Sequence, residues 1–378
     1  MNDRQLRWLA VCTLVLSSGL NYLDRNVLSA LMPTLRSEFN ISSEQLGLII
    51  TAFSIPYALA SPVMGLFIDR IGLRWGATSV VGLWSLVGMA TGFAGGLGSL
   101  IAYRALLGLT ESGGIPVTGK GYATYLNERD RAFGNGIGQI GITVGTMAAP
   151  LLTEFVSPRW GWRSAFVISG VLGFLWIPLW LLVSSRAPAE RVAAAASQAS
   201  FDILRDARYV ALIVANLLAM TIYSLWFSWT TLFMVTRYGL TQKDANVAFA
   251  WIPPLFATVG GLLGGVIASR LIRSGGDVIP VRIRIALGAS VLVLATAAAP
   301  LMERPELAIA LICISLAAVT CLSVNYYSIP LDLFGARRAA LAISFLTGAF
   351  GLMNAFLSPW IGRYSERHGW APVCLALF

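Results

Sequence analysis

A regular series of apolar segments constrains the fold of this chain more than any other feature. Each segment has about 20 residues, the length at which a helix crosses the hydrocarbon core of a bilayer. The chain is 57% hydrophobic and only 12% charged, whereas soluble domains carry about 25% charged residues. The sequence therefore predicts an all-α polytopic membrane protein. The predicted spans are 8–34, 45–68, 74–94, 98–123, 132–156, 163–184, 209–236, 244–270, 280–301, 306–331 and 338–362.

The spacing of the spans indicates two halves. Six spans precede a polar stretch, five follow it, and a twelfth begins near Trp370 and is cut short at Phe378. The segment GLFIDRIGLRWG at 65–76 has a weaker counterpart in GGVIASRLIRSGG at 264–276, each between the second and third spans of its half. Two repeated six-helix bundles are the plan of secondary transporters. The predicted domains are an N-terminal bundle at 1–185, a cytoplasmic linker at 186–208 and a C-terminal bundle at 209–378.

The net charge of +9 reflects membrane topology rather than a nucleic-acid partner. The basic residues lie mainly in alternate loops, which places the N-terminus and the linker on the cytoplasmic side. One histidine and four scattered cysteines have no metal-binding spacing, and the sequence offers no nucleophile–base set. We therefore expect neither an enzyme nor a metal or other cofactor.

Two adjacent charges, Asp24 and Arg25, interrupt the first apolar segment. A charge at bilayer depth costs about 2.5–3.5 kcal/mol on insertion scales, so these residues indicate a function. Helical spacing places Asn21, Tyr22 and Arg25 on one face, whereas Asp24 points about 100° away. We expect Arg25 and its two neighbours to bind a carboxylate through the guanidinium fork. Asp24 is then available to exchange a proton. The alternative is a local ion pair that ties helices together.

A second pair of charges lies in the fourth span, in YRALLGLTESGGIP at 103–116. Arg104 and Glu111 are seven residues apart, about two helical turns, so both side chains project from one face. A carboxylate at mid-membrane beside an arginine is suited to proton binding. The alternative is a buried pair with a purely structural role.

The loop after the second span carries the pattern G-x-x-x-D-R-x-G-x-R. Its glycines allow a turn, its carboxylate can accept hydrogen bonds from a helix N-terminus, and its arginines stay at the cytoplasmic interface. The pattern resembles the signature loop of the major facilitator superfamily, which latches the closed state in that family and does not bind substrate. The predicted gating residues are Gly65, Asp69, Arg70, Gly72 and Arg74.

Four segments together resemble the anion:cation symporter branch of that superfamily, which includes bacterial hexuronate and galactonate transporters. They are NYLDRNVLSALMPTLRSEF, AFSIPYALASPVMGLFIDRIG, RALLGLTESGGIP and PRWGWRSAFVISGVLGFLW; the C-terminal half is most similar at NYYSIPLDLF. The resemblance implies the major facilitator fold and protonation sites at Asp24 and Glu111. It implies that Arg25 binds the substrate carboxylate and that Arg104 tunes Glu111. The other implied substrate-binding residues are Tyr22, Tyr57, Gln139, Trp229, Asn325 and Asn354, beside Asn21 from the helical geometry.

These features favour proton-coupled symport of an organic anion, a hexuronate, an aldonate or a related small carboxylate. The expected setting is a monomer in a bacterial inner membrane, with protons as the coupling ion. Proton-coupled efflux of drug-like compounds is one alternative, and Arg25 opposes it. Facilitated diffusion is another, and Asp24 and Glu111 argue against it. A less polar carboxylate is an alternative substrate, because Ile142 stands where relatives often carry a polar residue. A membrane-embedded enzyme or receptor is a third.

Overall fold

The structure is a computed structural model that describes the backbone of residues 2–126, 128–186, 201–334 and 336–377. Within these ranges the side chains of residues 128, 129, 131–133, 135, 201, 331, 336–341, 343 and 344 are not described. Most of the predicted linker, residues 187–200, therefore lies outside the described residues.

Seven helices form the N-terminal half of the described chain. They are α1 (Asp3–Phe39), α2 (Ser43–Ile71), α3 (Leu73–Thr91), α4 (Leu97–Glu111), α5 (Gly114–Tyr125), α6 (Glu128–Trp160) and α7 (Arg163–Ser184). The predicted span 98–123 thus consists of two helices, α4 and α5. Pro116 explains part of this break, because proline has no N–H to donate to the carbonyl four residues earlier, that of Ser112.

In the C-terminal half of the described chain, short irregular turns interrupt the series of helices. Its elements are a 3₁₀ turn (Phe201–Arg205), α8 (Ala207–Tyr238), α9 (Gln242–Asp244), a π-helical turn (Ala245–Ala250), α10 (Ile252–Arg273), α11 (Val278–Val293), α12 (Ala295–Ala298), a 3₁₀ turn (Ala299–Leu301), α13 (Pro305–Phe334), α14 (Ala336–His368) and α15 (Trp370–Ala376). The π-helical turn precedes Pro253 and Pro254, which cannot donate to the helical hydrogen-bond ladder.

The lengths of these helices confirm a polytopic membrane fold. Eight helical segments of the described residues are long and apolar enough to cross a membrane. Helix α3, the α4–α5 pair and α14 correspond to the other three predicted spans. Large apolar side chains such as Leu59, Phe93 and Phe356 are more than half exposed, as a lipid-facing surface requires.

The helices form two compact units. The N-terminal unit comprises Met1–Ile41, Leu48–Ala193 and Asn246–Trp251, and the C-terminal unit comprises Ser42–Gly47, Ala194–Ala245 and Ile252–Phe378. The first turn of α2 thus groups with the C-terminal unit, and the π-helical turn groups mainly with the N-terminal unit. The domain boundaries predicted from the sequence stay a prediction.

Each unit is organised around one central helix that packs through glycines. Helix α1 contacts α5, α6 and α7, and α13 contacts α8, α10, α11 and α14. A Cβ at Gly145 of α6 would lie 1.9 Å from the carbonyl oxygen of Gly19 in α1. A Cβ at Gly260 of α10 would lie 2.0 Å from the carbonyl oxygen of Ala317 in α13. Only glycine permits these close approaches, which supply the van der Waals packing of membrane helices.

Candidate functional site

The N-terminal unit contains a cluster of four charged side chains on two of its helices. Helix α1 supplies Asp24 and Arg25, and α4 supplies Arg104 and Glu111. Asp24 and Arg104 are 2% exposed and Glu111 is 0% exposed; no other charged residue that the structure describes is buried. Glu111 is the last residue of α4, where the backbone carbonyls of the helix disfavour a negative charge. A cation close to Glu111 is therefore required.

Arg25 is that cation. Its Nε donates a hydrogen bond to Oε2 of Glu111 at 2.6 Å. Its guanidinium carbon lies 4.4 Å from the ring centre of Tyr57 and 4.9 Å from those of Tyr22 and Phe53. Three aromatic rings thus hold the cation from α1 and α2. The Arg25 side chain is 18% exposed, so the guanidinium is the accessible member of the pair.

Arg104 lies near both carboxylates without a direct bond to either. Its charge acts on Asp24 and on Glu111. Its Nε and Nη2 atoms, and Oε1 of Glu111, have no hydrogen-bond partner among the described residues. The spacing on α4 therefore brings Arg104 close to Glu111, but the ion pair of Glu111 is made with a different helix. The tuning role of Arg104 stays a prediction.

Asp24 faces away from Arg25, in agreement with the helical geometry. A Cβ placed on Gly88 of α3 would lie 3.9 Å from its Oδ2, and the side chain of Ser169 on α7 lies beside its carboxylate. Neither carboxylate oxygen has a partner within hydrogen-bond geometry among the residues described. Asp24 thus belongs to the interior of the N-terminal unit, between α1, α3 and α7.

Two further residues predicted in this unit differ in burial. Asn21 is 4% exposed, and its Nδ2 has no partner in the described part of the chain. Gln139 lies on an exposed part of α6. Both substrate-binding assignments stay predictions.

In the C-terminal unit, the predicted asparagines have neutral partners. Asn325 of α13 is fully buried, and its Nδ2 donates to the carbonyl oxygen of Cys321 at 2.9 Å. Oδ1 of Asn354 on α14 accepts hydrogen bonds from the hydroxyls of Ser224 and, at 3.2 Å, of Ser358. These amides can present hydrogen-bonding groups without a buried charge.

Trp229 lies in the packed interior of the C-terminal unit. Its ring is 0% exposed and packs edge-on against Trp370 of α15, with ring centres 6.3 Å apart. Its Nε1 has no hydrogen-bond partner among the described residues. In this structure Trp229 therefore presents no surface to a ligand, and its predicted stacking on substrate stays untested.

Residues 14–358 match the Major Facilitator Superfamily along nearly the whole chain. The chain belongs to the Major Facilitator Superfamily. It is therefore a multi-pass membrane transporter and not an enzyme, as the motif resemblance implies.

Relatives of this superfamily member transport sugar acids. It is 29% identical to a hexuronate transporter of Escherichia coli (strain K12) over 393 residues, covering 98% of this chain and 90% of that protein. It is 29% identical to a galacturonate transporter of Dickeya chrysanthemi over 279 residues, covering 69% of this chain and 81% of that protein. A crystal structure of a bacterial homologue of the human lysosomal transporter Spinster has a TM-score of 0.81 at 21% identity, covering 96% of this chain and 83% of that chain. That likeness supports the fold.

Lys120 contacts the segment that resembles the superfamily's signature loop. The sequence alone did not predict this contact. Nζ of Lys120 on α5 lies 2.8 Å from Oδ1 of Asp69 and donates to the carbonyl oxygen of Ile68 at 3.0 Å. Gly72 precedes α3 with φ of +83°, a conformation that favours glycine. The carbonyl oxygen of Arg74 accepts from Nε1 of Trp180 at 2.9 Å.

Two of the three missed residues had a signal in the sequence. Lys120 falls inside the predicted span 98–123, where a lysine needs an anionic partner. Phe53 is one turn before Tyr57 on α2 and shares its face. Ser169 had no comparable signal, because a serine in a span is common.

Among the described residues, no group of three His, Cys, Asp or Glu side chains could hold a metal ion.

Proposed function

We propose that this chain is a proton-coupled symporter of a sugar acid, with hexuronates as the first candidates. The observation that carries the proposal is the Arg25–Glu111 pair, a buried carboxylate on a partly exposed guanidinium inside an aromatic cage. The hexuronate and galacturonate transporters among its relatives supply the class of substrate. An organic anion of this class offers a carboxylate to Arg25 and hydroxyls to neutral polar groups.

Competition for Arg25 couples the proton to the anion. The Nε–H of Arg25 is engaged by Glu111, so a substrate carboxylate must compete with a carboxylate already in place. Protonation removes the charge of Glu111 and weakens its hold on the guanidinium. The fork of Arg25 is then free to bind the substrate carboxylate in a bidentate manner. A proton on Glu111 and an anion on Arg25 therefore favour each other.

The charge balance of the cluster opposes transport of either partner alone. With Glu111 protonated and substrate bound, Arg25 and the substrate carboxylate neutralise each other. With Glu111 protonated and no substrate, Arg25 lacks a close anion, and a buried unpaired charge is strongly unfavourable. A conformational change that desolvates the site is therefore favourable for the fully loaded state and for the empty state, in which Glu111 pairs with Arg25, but not for the half-loaded states. Asp24 provides a second carboxylate for proton exchange.

The remaining elements of the proposal concern the setting. The loop charges support a cytoplasmic N-terminus in a bacterial inner membrane. Asn325 and Asn354 are the candidate hydroxyl-binding residues of the C-terminal unit. We expect the protein to act as a monomer, with protons as its only coupling ion.

Uptake by proteoliposomes tests this function. Purified protein is reconstituted, and accumulation of labelled D-glucuronate and D-galacturonate is measured with an inward proton gradient, without a gradient, and with a protonophore. The proposal requires accumulation that depends on the gradient and is abolished by the protonophore. Uptake that equilibrates regardless of the gradient would instead identify facilitated diffusion. Proton-driven transport of drug-like compounds, with no transport of the sugar acids, would instead support the efflux alternative.

A further inference from the structure

A short turn from the C-terminal half of the chain belongs to the N-terminal unit. Residues Asn246–Trp251, which include most of the π-helical turn, group with that unit. Ala245 before them and α10 after them, which begins at Ile252, belong to the C-terminal unit. π-Helical turns are rare and are found frequently at functional sites. The proposed coupling mechanism assigns no role to this turn.

Asn246 anchors the turn to two helices of the N-terminal unit. Its side chain is 0% exposed. Its Nδ2 donates to the carbonyl oxygen of Ala30 in α1 at 3.1 Å and to Oε1 of Glu154 in α6 at 2.7 Å. An amide nitrogen carries two hydrogens, so both bonds can form at the same time. Hydrogen bonds to a carboxylate are roughly twice as strong as neutral ones, so the bond to Glu154 is the stronger anchor.

The turn can change its position without unwinding α10. Pro253 and Pro254 have no N–H, so neither can donate to a carbonyl of the preceding turn. Nε1 of Trp251 donates instead to the carbonyl oxygen of Val247 at 2.8 Å, a bond within the turn itself. The helical hydrogen-bond ladder is thus interrupted at the point where the chain passes from one unit to the other.

The residues that hold the turn lie at one end of their helices. Ala30 and Glu154 are near the last positions of the first and fifth predicted spans, and Asn246 is near the first position of the eighth. The signature loop follows the second span and therefore lies at the opposite end. The loop charges that predict a cytoplasmic N-terminus thus predict that the turn is on the outer side.

We propose that the π-helical turn is an outer strap that detaches from α1 and α6 in each transport cycle, with Asn246 as its anchor. In secondary transporters the two halves rock against each other. Both ends of the strap are continuous with the C-terminal unit, so the strap follows that unit when the outer ends of the halves separate. The bonds of Asn246 to α1 and α6 then break, and substrate enters from the outer side. This inference does not depend on the identity of the anion or on proton coupling.

Hydrogen–deuterium exchange measures the attachment of the strap in the purified protein without substrate. Asn246→Asp removes both N–H donors and places a second carboxylate against that of Glu154. We expect the amides of residues 246–251 to exchange about tenfold faster in this variant, the effect of a lost hydrogen bond to a charged group. If Asn246→Asp does not fold, Asn246→Ala gives the same comparison without the added charge.

A swapped pair and a neighbouring control test whether the effect belongs to these two residues. In Asn246→Asp with Glu154→Gln, the glutamine can donate to the new carboxylate, so slow exchange should return. Asp244→Asn is the matched control, because Oδ2 of Asp244 accepts from the hydroxyl of Thr241 at 2.7 Å and an amide oxygen can do the same. We expect exchange of the strap in this control within about twofold of the wild type.

Uptake of labelled D-galacturonate by right-side-out membrane vesicles measures the consequence for transport. A released strap raises the population of the outward-open state, so the KM for external substrate should fall about fivefold in Asn246→Asp. The maximal rate should also fall, because the strap no longer closes the outer side after substrate has entered. The swapped pair should restore both values, and Asp244→Asn should change neither.

Two results would overturn the proposal. Equal exchange of the strap in Asn246→Asp and Asp244→Asn would show that Asn246 does not anchor it. Faster exchange with an unchanged KM and an unchanged maximal rate would show that the contact is structural and has no part in the cycle. If the wild type transports no sugar acid, the proposed function fails, and the exchange rates still decide whether Asn246 holds the strap.

Discussion

The two units of this transporter differ in the kind of polar group that they bury. The N-terminal unit buries three charged side chains, Asp24, Arg104 and Glu111, beside the partly exposed Arg25. The buried polar residues of the described C-terminal unit are neutral, with asparagines such as Asn325 and hydroxyls such as Thr296, Ser315 and Ser358. The two repeats therefore share a helical plan but divide the chemistry, with ionic groups in one and neutral hydrogen bonds in the other.

The difference has energetic consequences. A neutral group can be satisfied locally, as when Nε1 of Trp226 donates to Oγ1 of Thr296 at 3.2 Å. A buried charge needs a counter-charge or water, and removal of one partner leaves the other strongly unfavourable. Substitutions in the N-terminal cluster should therefore change transport and coupling, whereas those in the C-terminal unit should change affinity.

The largest effect is expected for Arg25→Ala. This change removes the proposed anion anchor and leaves Glu111 buried without its cation, so hexuronate affinity should fall about 100-fold or more. Arg25→Lys should recover little, because an ammonium group lacks the planar fork. Equilibrium binding of labelled hexuronate to purified protein measures the effect. Unchanged binding in Arg25→Ala would show that the anion site lies elsewhere.

Glu111→Gln should separate coupling from binding. The amide keeps the shape of the side chain but cannot gain or lose the proton, so gradient-driven accumulation should fall by about tenfold or more while counterflow continues. The binding affinity should also lose its dependence on pH, because no carboxylate competes for Arg25. Glu38→Gln is the matched control, since Glu38 forms an exposed ion pair with Arg163 at 3.4 Å in the same unit. Loss of binding in Glu111→Gln would assign a structural role to Glu111.

Asn354→Ala tests the neutral side of the comparison. Loss of one hydrogen bond to a substrate hydroxyl should weaken binding by about 1 kcal/mol, a rise in KM of about fivefold. The ratio of accumulated to external substrate should not change, because in the proposed symport mechanism that ratio is set by the proton gradient. Uptake kinetics over a range of hexuronate concentrations give both values. If Asn354→Ala bound hexuronate normally but no longer accumulated it, the C-terminal unit would contribute to coupling. The division of coupling and affinity between the two units would then be wrong.

Lys120→Met should have the smallest effect, because it removes an ion pair at the protein surface. The Lys120–Asp69 distance of 2.8 Å resembles the 2.6 Å of Arg25–Glu111, but the side chain of Asp69 is 68% exposed and that of Glu111 is 0% exposed. We expect a loss of about 1 kcal/mol or less in the free energy of unfolding, measured by thermal denaturation in detergent. Lys120→Arg is the control that keeps the charge. A loss of unfolding free energy well above about 1 kcal/mol would show that the exposure of this ion pair does not limit its contribution.

Some properties of this protein were already determined by its sequence. The bilayer requires every backbone polar group to be satisfied within a helix, so the apolar spans alone predicted the polytopic helical fold. The different directions of Asp24 and Arg25 were also predictable, because they follow from the angle of about 100° between adjacent residues on one helix. Membership of the superfamily was also predictable, because it followed from short motifs of fixed spacing.

Only the tertiary structure decided which groups meet. Glu111 pairs with Arg25, 86 positions away, and not with Arg104 on its own helix. Phe53 completes the aromatic cage, Lys120 holds Asp69, and Trp229 lies buried against Trp370. Local periodicity fixes the face on which a side chain lies, but its partner depends on how helices distant in the chain pack, and that depends on the shapes of all their side chains together.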